Sequence, residues 1–141
     1  MKKLALRFGG VGFLYGVAVV LPALAAPKNT IKDLMKKLNS GPESLRPKIG
    51  GALKSDEPDW DALQKNTKQF AELAAELTDL MPPQGEKESW EKLTKAYIKN
   101  ARALEEAAKN KDRAAAKSAN ARIGGSCRAC HDAHKPKTQG F

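Results

Sequence analysis

The sequence predicts an all-α protein, an antiparallel four-helix bundle whose helices are joined by short loops. Apolar residues recur at three- and four-residue steps through most of the chain after residue 29, which is the spacing of one helix face. Short clusters of proline, glycine and asparagine interrupt these stretches. No stretch alternates apolar and polar residues over a length that would indicate a strand. A chain of 141 residues is consistent with one such domain.

A basic segment and an apolar run precede the predicted bundle. The apolar run covers residues 8–21, and Pro22–Ala25 ends in the A-x-A pattern of a cleavage site. We therefore expect a signal peptide over residues 1–25, a bundle domain over residues 26–141, and export from the cytoplasm. An uncleaved membrane anchor is the alternative, because the apolar run is nearly long enough to span a bilayer. The cleavage pattern favours removal, which would leave no integral membrane span.

The first part of the domain contains one clear helix and one weaker one. A helix is predicted over residues 30–39, because four apolar residues share one of its faces. These are Ile31, Leu34, Met35 and Leu38. A second piece over residues 43–54 contains Pro47 and Gly50-Gly51, so we expect it to be short or irregular.

Two long helices follow. The first begins at an acidic turn over residues 56–59 and extends to Met81, and the second covers residues 86–109. Each has a stripe of residues at alternating three- and four-residue steps, which is typical of helix–helix packing. The stripes are Trp60, Leu63, Thr67, Phe70, Ala74, Leu77 and Met81 in the first, and Trp90, Leu93, Tyr97, Ala101, Leu104 and Ala108 in the second.

The last helix is predicted over residues 113–134, with Asp112 as its N-cap. It contains Cys127-Arg128-Ala129-Cys130-His131, a C-x-x-C-H motif, which is an attachment site for c-type haem. Both thiols can form thioethers with haem vinyl groups, and His131 can then bind the iron. These are the only two cysteines in the chain, so one covalently bound haem c is the predicted cofactor. The predicted inner face is Ala115, Ala116, Ala119, Ile123, Cys127, Cys130 and His131.

Two other interpretations of the motif remain open. A dithiol redox site usually lies near a βαβ pattern, which this sequence lacks. Zinc could be bound by four nearby side chains, but structural zinc sites usually draw on two separated ligand pairs. Those four are Cys127, Cys130, His131 and His134. Haem attachment is favoured over both.

Gly124 and Gly125 lie directly before the motif. Each glycine costs a helix about 1 kcal/mol relative to alanine. We interpret the pair as allowing a flat porphyrin to approach the backbone closely. The alternative is that the pair simply breaks the helix.

The composition points to protein partners. The formal net charge is +9, and a basic surface can attract redox proteins with acidic docking surfaces. Lysines kept only for solubility are an equally good explanation. Nucleic acid is not expected, because the chain is predicted to be exported and has no nucleic-acid motif. We name no general base, nucleophile or substrate cleft, and therefore do not expect an enzyme.

The signal peptide, the four amphipathic helices and C-x-x-C-H in the last helix resemble the class II c-type cytochromes, the group of cytochrome c-prime and cytochrome c-556. The resemblance covers the whole predicted mature chain and implies a periplasmic monohaem protein. Members often form homodimers through their first two helices. In the family an aromatic and a basic residue usually follow the motif after two positions. Here His134 replaces the aromatic and Lys135 fits; we expect His134 at the surface or the haem edge.

The resemblance also indicates that the iron position opposite His131 decides the function. The family's first-helix segment resembles residues 31–37, which places Met35 at that position in c-556-like members. Ligation by Met35 implies a closed, low-spin iron and a one-electron carrier. If Met35 is ordinary core, the iron is five-coordinate and open to NO or CO, as in cytochrome c-prime. Met81 is a weaker candidate ligand, because it lies just before Pro82.

Overall fold

The structure is a computed structural model that describes residues 29–137. The predicted signal peptide, residues 1–25, lies outside the described residues. Within them there are five α-helices and no strand, so the all-helical class is confirmed. The helices are α1 (Ile31–Leu38), α2 (Leu45–Ala52), α3 (Trp60–Ala75), α4 (Lys87–Lys109) and α5 (Arg113–His134). Over the same residues, every helix is too short or too polar to cross a membrane.

The two short helices, α1 and α2, are stabilised at their N-termini. Thr30 caps α1: its hydroxyl accepts from the Asp33 backbone N–H, and the Asp33 carboxylate accepts from the Thr30 backbone N–H. This reciprocal pair satisfies two backbone donors that a helix end otherwise leaves open. Pro47 is the third residue of α2, where a missing N–H breaks no helical hydrogen bond. The second piece is therefore a regular helix, although a short one.

The third helix ends earlier than predicted. α3 stops at Ala75 and is followed by a 3₁₀ turn, Glu76–Asp79. The tighter turn changes the direction of the side chains, and Leu80, just before Met81, has an extended backbone. Met81 is 62% exposed, so its assignment to the buried stripe was wrong. Pro82 also disfavours a helical backbone at the residue before it, Met81.

The core is formed by the inner faces of all five helices. α4 lies between α3 and α5 and packs most extensively against both. The Phe70 and Tyr97 rings lie 6.0 Å apart at the α3–α4 contact. Two predicted inner residues are corrected: Ala115 is exposed and Leu93 is only half-buried. The largest fully buried side chains are Phe70, Leu34, Leu38, Ile49, Leu53, Leu63, Leu104, Ile123 and Thr67.

Contacts between helix ends show how the helices run relative to one another. The Gln64 side-chain amide donates to the Ala108 carbonyl, which joins the start of α3 to the end of α4. Ser89 near the start of α4 contacts His134 at the end of α5. The three long helices therefore run antiparallel. Asn29 donates to Glu76, so α1 begins at the same end of the bundle as the C-x-x-C-H motif.

Candidate haem-binding site

The C-x-x-C-H motif lies on the last two turns of α5, which continues unbroken to His134. Cys127 and Cys130 are free thiols and half-buried. The Cys127 thiol donates to the Ile123 carbonyl at 3.6 Å. Burial, and then the neighbouring Cys127, raises the pKa of the Cys130 thiol. Both thiols are thus held on the helix side that meets the rest of the bundle.

His131 is exposed, which corrects its assignment to the inner face. It borders a surface pocket of about 440 Å³. The other residues that line this pocket are Asp132, Lys135, Pro136 and Lys137. The imidazole is therefore accessible to a ligand that is tethered through the neighbouring cysteines.

Met35 lies half-buried on α1, packed against the core. Its sulfur accepts a hydrogen bond from Asn39 Nδ2 at 3.6 Å. The same amide donates to the Tyr97 hydroxyl at 3.0 Å. Burial raises the pKa of Tyr97 to about 12, and charge on Cys127 and Cys130 also raises it. Tyr97 therefore lies within electrostatic range of both cysteines and links Met35 to the motif side of the bundle.

Gly124 lies one turn before Cys127 and makes room for an arginine. A Cβ at this glycine would lie 2.5 Å from Arg46 Nη2, whereas one at Gly125 would meet nothing within 4 Å. Arg46 Nε is buried and has no hydrogen-bond partner among the described residues. α5 continues through both glycines, so the predicted alternative of a helix break is wrong. Sequence reasoning missed Arg46, because a cation in the first turn of a short helix is ordinarily solvated.

His134 is only 2% exposed, so the expectation of a surface or haem-edge position was wrong. Its Nδ1 lies 2.9 Å from the Gln84 carbonyl and its Nε2 lies 3.2 Å from Ser89 Oγ. A carbonyl only accepts, so Nδ1 carries a proton. The ring also meets Trp90 edge-on, with 5.3 Å between centroids. The loop between α3 and α4 folds over the end of α5 and buries the imidazole.

These surroundings separate the interpretations of the motif. The zinc interpretation needs four ligands together, but both nitrogens of His134 are already hydrogen-bonded elsewhere. Among residues 29–137, no three histidine, cysteine or acidic side chains are grouped as a metal site. The residues do fit a covalent haem: two free thiols lie three positions apart and His131 is accessible, which are the donor types of a c-type haem site. A half-buried cation, Arg46, lies beside them with a buried and unused Nε–H.

The comparisons with known proteins agree with this chemistry. A family model described as Cytochrome C' matches residues 30–135, a stretch that includes all five helices and the motif. No curated protein and no solved structure matched the chain. The family implies covalently bound haem c. The chain therefore belongs to the Cytochrome C' family of class II c-type cytochromes.

Proposed function

We propose that the protein is a monohaem cytochrome that carries single electrons, with His131 and Met35 as the axial iron ligands. The position of Met35 carries this proposal: it is half-buried on α1, and Asn39 joins its sulfur to Tyr97 near the cysteine pair. Bound haem c supplies a one-electron iron centre. We propose no chemical conversion of a substrate, and therefore no enzyme activity.

Each residue of the site has a separate role in this proposal. Cys127 and Cys130 would hold the haem through thioether bonds, and His131 would bind the iron from α5. Met35 would bind it from α1. The Asn39 side-chain N–H donates to one lone pair of the Met35 sulfur and restricts the methionine side chain, which would leave the second lone pair for iron. A thioether ligand favours Fe(II) and raises the reduction potential.

The haem position follows from the same arrangement. We place it at the end of the bundle where α5 ends and α1 begins. The Asn29–Glu76 hydrogen bond joins the start of α1 to the end of α3, and the Ser89–His134 contact joins the start of α4 to the end of α5. In this view α1 and α2 together act as the first helix of a four-helix bundle. Their combined length runs beside α3.

A five-coordinate, NO- or CO-binding protein is the second candidate. The description of the matching family, Cytochrome C', favours it. Met35 would then only pack against the core, as its neighbours Leu34 and Leu38 do. The two candidates share Cys127, Cys130 and His131 and differ only at the opposite iron position.

The proposed setting is the periplasm, reached through the signal peptide over residues 1–25. The proposed partners are redox proteins with acidic docking surfaces. Lys32, Lys36 and Lys37 support this, because they form the exposed side of α1, the helix that carries Met35. A homodimer through the first helices is part of the same proposal, whereas nucleic-acid binding is not.

Visible spectra of the oxidised and reduced protein, with and without CO, test the proposal. The wild type should be low-spin, show a methionine–iron charge-transfer band, and take up no CO. Met35→Ala should become high-spin and bind CO, because it removes the only sulfur proposed as a ligand. Met81→Ala is the matched control: it removes an exposed methionine and should leave the spectrum unchanged.

The alternatives give different spectra. A high-spin wild type that binds CO would establish the five-coordinate candidate and return Met35 to a packing role. Cys127→Ala combined with Cys130→Ala should abolish covalent haem, detected by haem staining after denaturation. Normal covalent haem in that double variant would contradict both candidates.

A further inference from the structure

Arg46 reaches across from α2 to the helix that carries the haem motif. The three atoms nearest to a Cβ placed at Gly124 all belong to the Arg46 guanidinium: Nη2 at 2.5 Å, Cζ at 3.3 Å and Nε at 3.6 Å. Only a residue without a side chain can stand there while the guanidinium keeps this position. Gly124 is one turn, three residues, before Cys127, or about 4.5 Å along the axis at 1.5 Å per residue.

Among residues 29–137 the guanidinium has no counter-ion. Its Nε is buried without a hydrogen-bond partner among the described residues, and none of the ion pairs formed within residues 29–137 includes Arg46. Arginines with a buried guanidinium nitrogen ordinarily pair with carboxylates, because the planar fork matches two carboxylate oxygens and the charge is permanent. Arg46 therefore has hydrogen-bonding capacity and charge that the described residues do not use.

The haem attachment residues identify the anion. Asn120, Gly124, Cys127 and His131 fall within a sector of roughly 60° on α5, at 100° per residue. Arg46 thus faces the same side of the helix as the thiol and the proposed iron ligand. Apart from its iron, haem has only two charged groups, its propionate carboxylates. A haem tethered at Cys127 and Cys130 would supply two carboxylates with which a cation on this side of α5 could pair.

We propose that Arg46 binds a haem propionate and that Gly124 exists at its position to admit the guanidinium. This inference depends on covalent haem, as proposed above, but not on whether Met35 ligates. Two other arginines near the motif are already engaged. Arg122 donates to Asn100 Oδ1 and to Ser118 Oγ, and the exposed Arg128 pairs with Asp132.

The test uses the mature haem protein and four variants. Arg46→Gln removes the proposed partner, and Gly124→Ala displaces it while keeping its charge. Arg122→Gln is the control for loss of one positive charge, and Gly125→Ala is the control for the same glycine-to-alanine change with open space around the new Cβ. The readouts are the resonance Raman bending band of the propionates, which reports their hydrogen bonding, and the midpoint reduction potential.

Arg46→Gln and Gly124→Ala should both shift the propionate band. Arg46→Gln should also lower the midpoint potential, because a lost cation near the iron disfavours Fe(II). Arg122→Gln and Gly125→Ala should leave the band in place. An Arg46→Gln protein with the wild-type propionate band would overturn the inference, even if its potential moved.

The glycine pair decides the question if Arg46→Gln does not accumulate with haem. Identical propionate bands in Gly124→Ala and Gly125→Ala would then overturn the inference. A wild-type chain without covalent haem would overturn this inference together with the proposed function. Covalent haem with an unresponsive propionate band would overturn this inference alone.

Discussion

Replacement of His134 by alanine should destabilise the protein strongly. The imidazole is 2% exposed and closes the end of the bundle. Nδ1 donates to the Gln84 carbonyl, Nε2 pairs with the Ser89 hydroxyl, and the ring packs edge-on against Trp90. The alanine variant loses all three interactions at once.

The magnitude follows from those interactions. Each hydrogen bond contributes about 1 kcal/mol net, and an edge-on aromatic contact contributes about 1 kcal/mol beyond its buried area. His134→Ala should therefore lower the free energy of unfolding by at least about 3 kcal/mol, since the buried area of the ring is lost as well, and this is a large share of a total that is typically about 5–15 kcal/mol. His134→Phe keeps the ring contact with Trp90 and loses only the hydrogen bonds, so its loss should be about 2 kcal/mol.

Guanidinium unfolding of the haem-loaded protein measures these differences by linear extrapolation. Arg128→Ala is the control, because Arg128 is on the same helix, its side chain is 92% exposed, and its one ion pair within residues 29–137 is with Asp132 at 3.4 Å. A surface pair of this kind contributes at most about 0.5 kcal/mol. If His134→Ala lowered the free energy of unfolding no more than Arg128→Ala, the burial and the two hydrogen bonds assigned to the imidazole would be wrong.

Two further predictions concern Tyr97 and the loop over α5. Because burial raises the pKa of Tyr97 from 10.0 to about 12, the unfolded phenol ionises first, and stability should fall as pH rises from about 10 to about 12. Denaturation midpoints of the wild type and Tyr97→Phe across this range measure the effect, and equal slopes would refute it. Gly85 and Gly41 both have positive φ, 86° and 89°. A Cβ at Gly85 would lie 2.6 Å from atoms at the end of α5, whereas a Cβ at Gly41 would meet nothing within 4 Å. Gly85→Ala should therefore lower the thermal midpoint well below that of Gly41→Ala, whose cost is backbone strain only; equal midpoints would contradict the packing of the loop.

Helix positions could be predicted from the sequence where local signals agree. The α5 prediction, residues 113–134, matches the structure, because Asp112 is a strong cap and the apolar spacing is regular. The α1 and α4 predictions are correct to within one residue at each end. The predicted end of α3 was wrong, because the apolar stripe continues to Met81 whereas the backbone tightens into a 3₁₀ turn before Pro82. Spacing alone does not show such a change of backbone.

The surroundings of the motif could not be predicted in the same way. C-x-x-C-H indicates haem by its chemistry alone. The burial of His134 depends on a loop fifty residues earlier in the chain, at Gln84. The contact of Arg46 with Gly124 likewise joins two helices far apart in sequence. Interactions between distant segments have no local pattern, so only the fold reveals them.

The two proposed iron ligands lie on helices of very different length. His131 is on α5, a helix of 22 residues, whereas Met35 is on α1, a helix of eight. An isolated helix of eight residues is unstable in water, so α1 depends on its cap and on its packed leucines, Leu34 and Leu38, both fully buried. Met35 directly follows Leu34, and its position is therefore set by tertiary packing. For this reason the motif alone indicates that haem is attached, while the choice between a closed electron carrier and an open iron depends on how firmly α1 is held against the bundle.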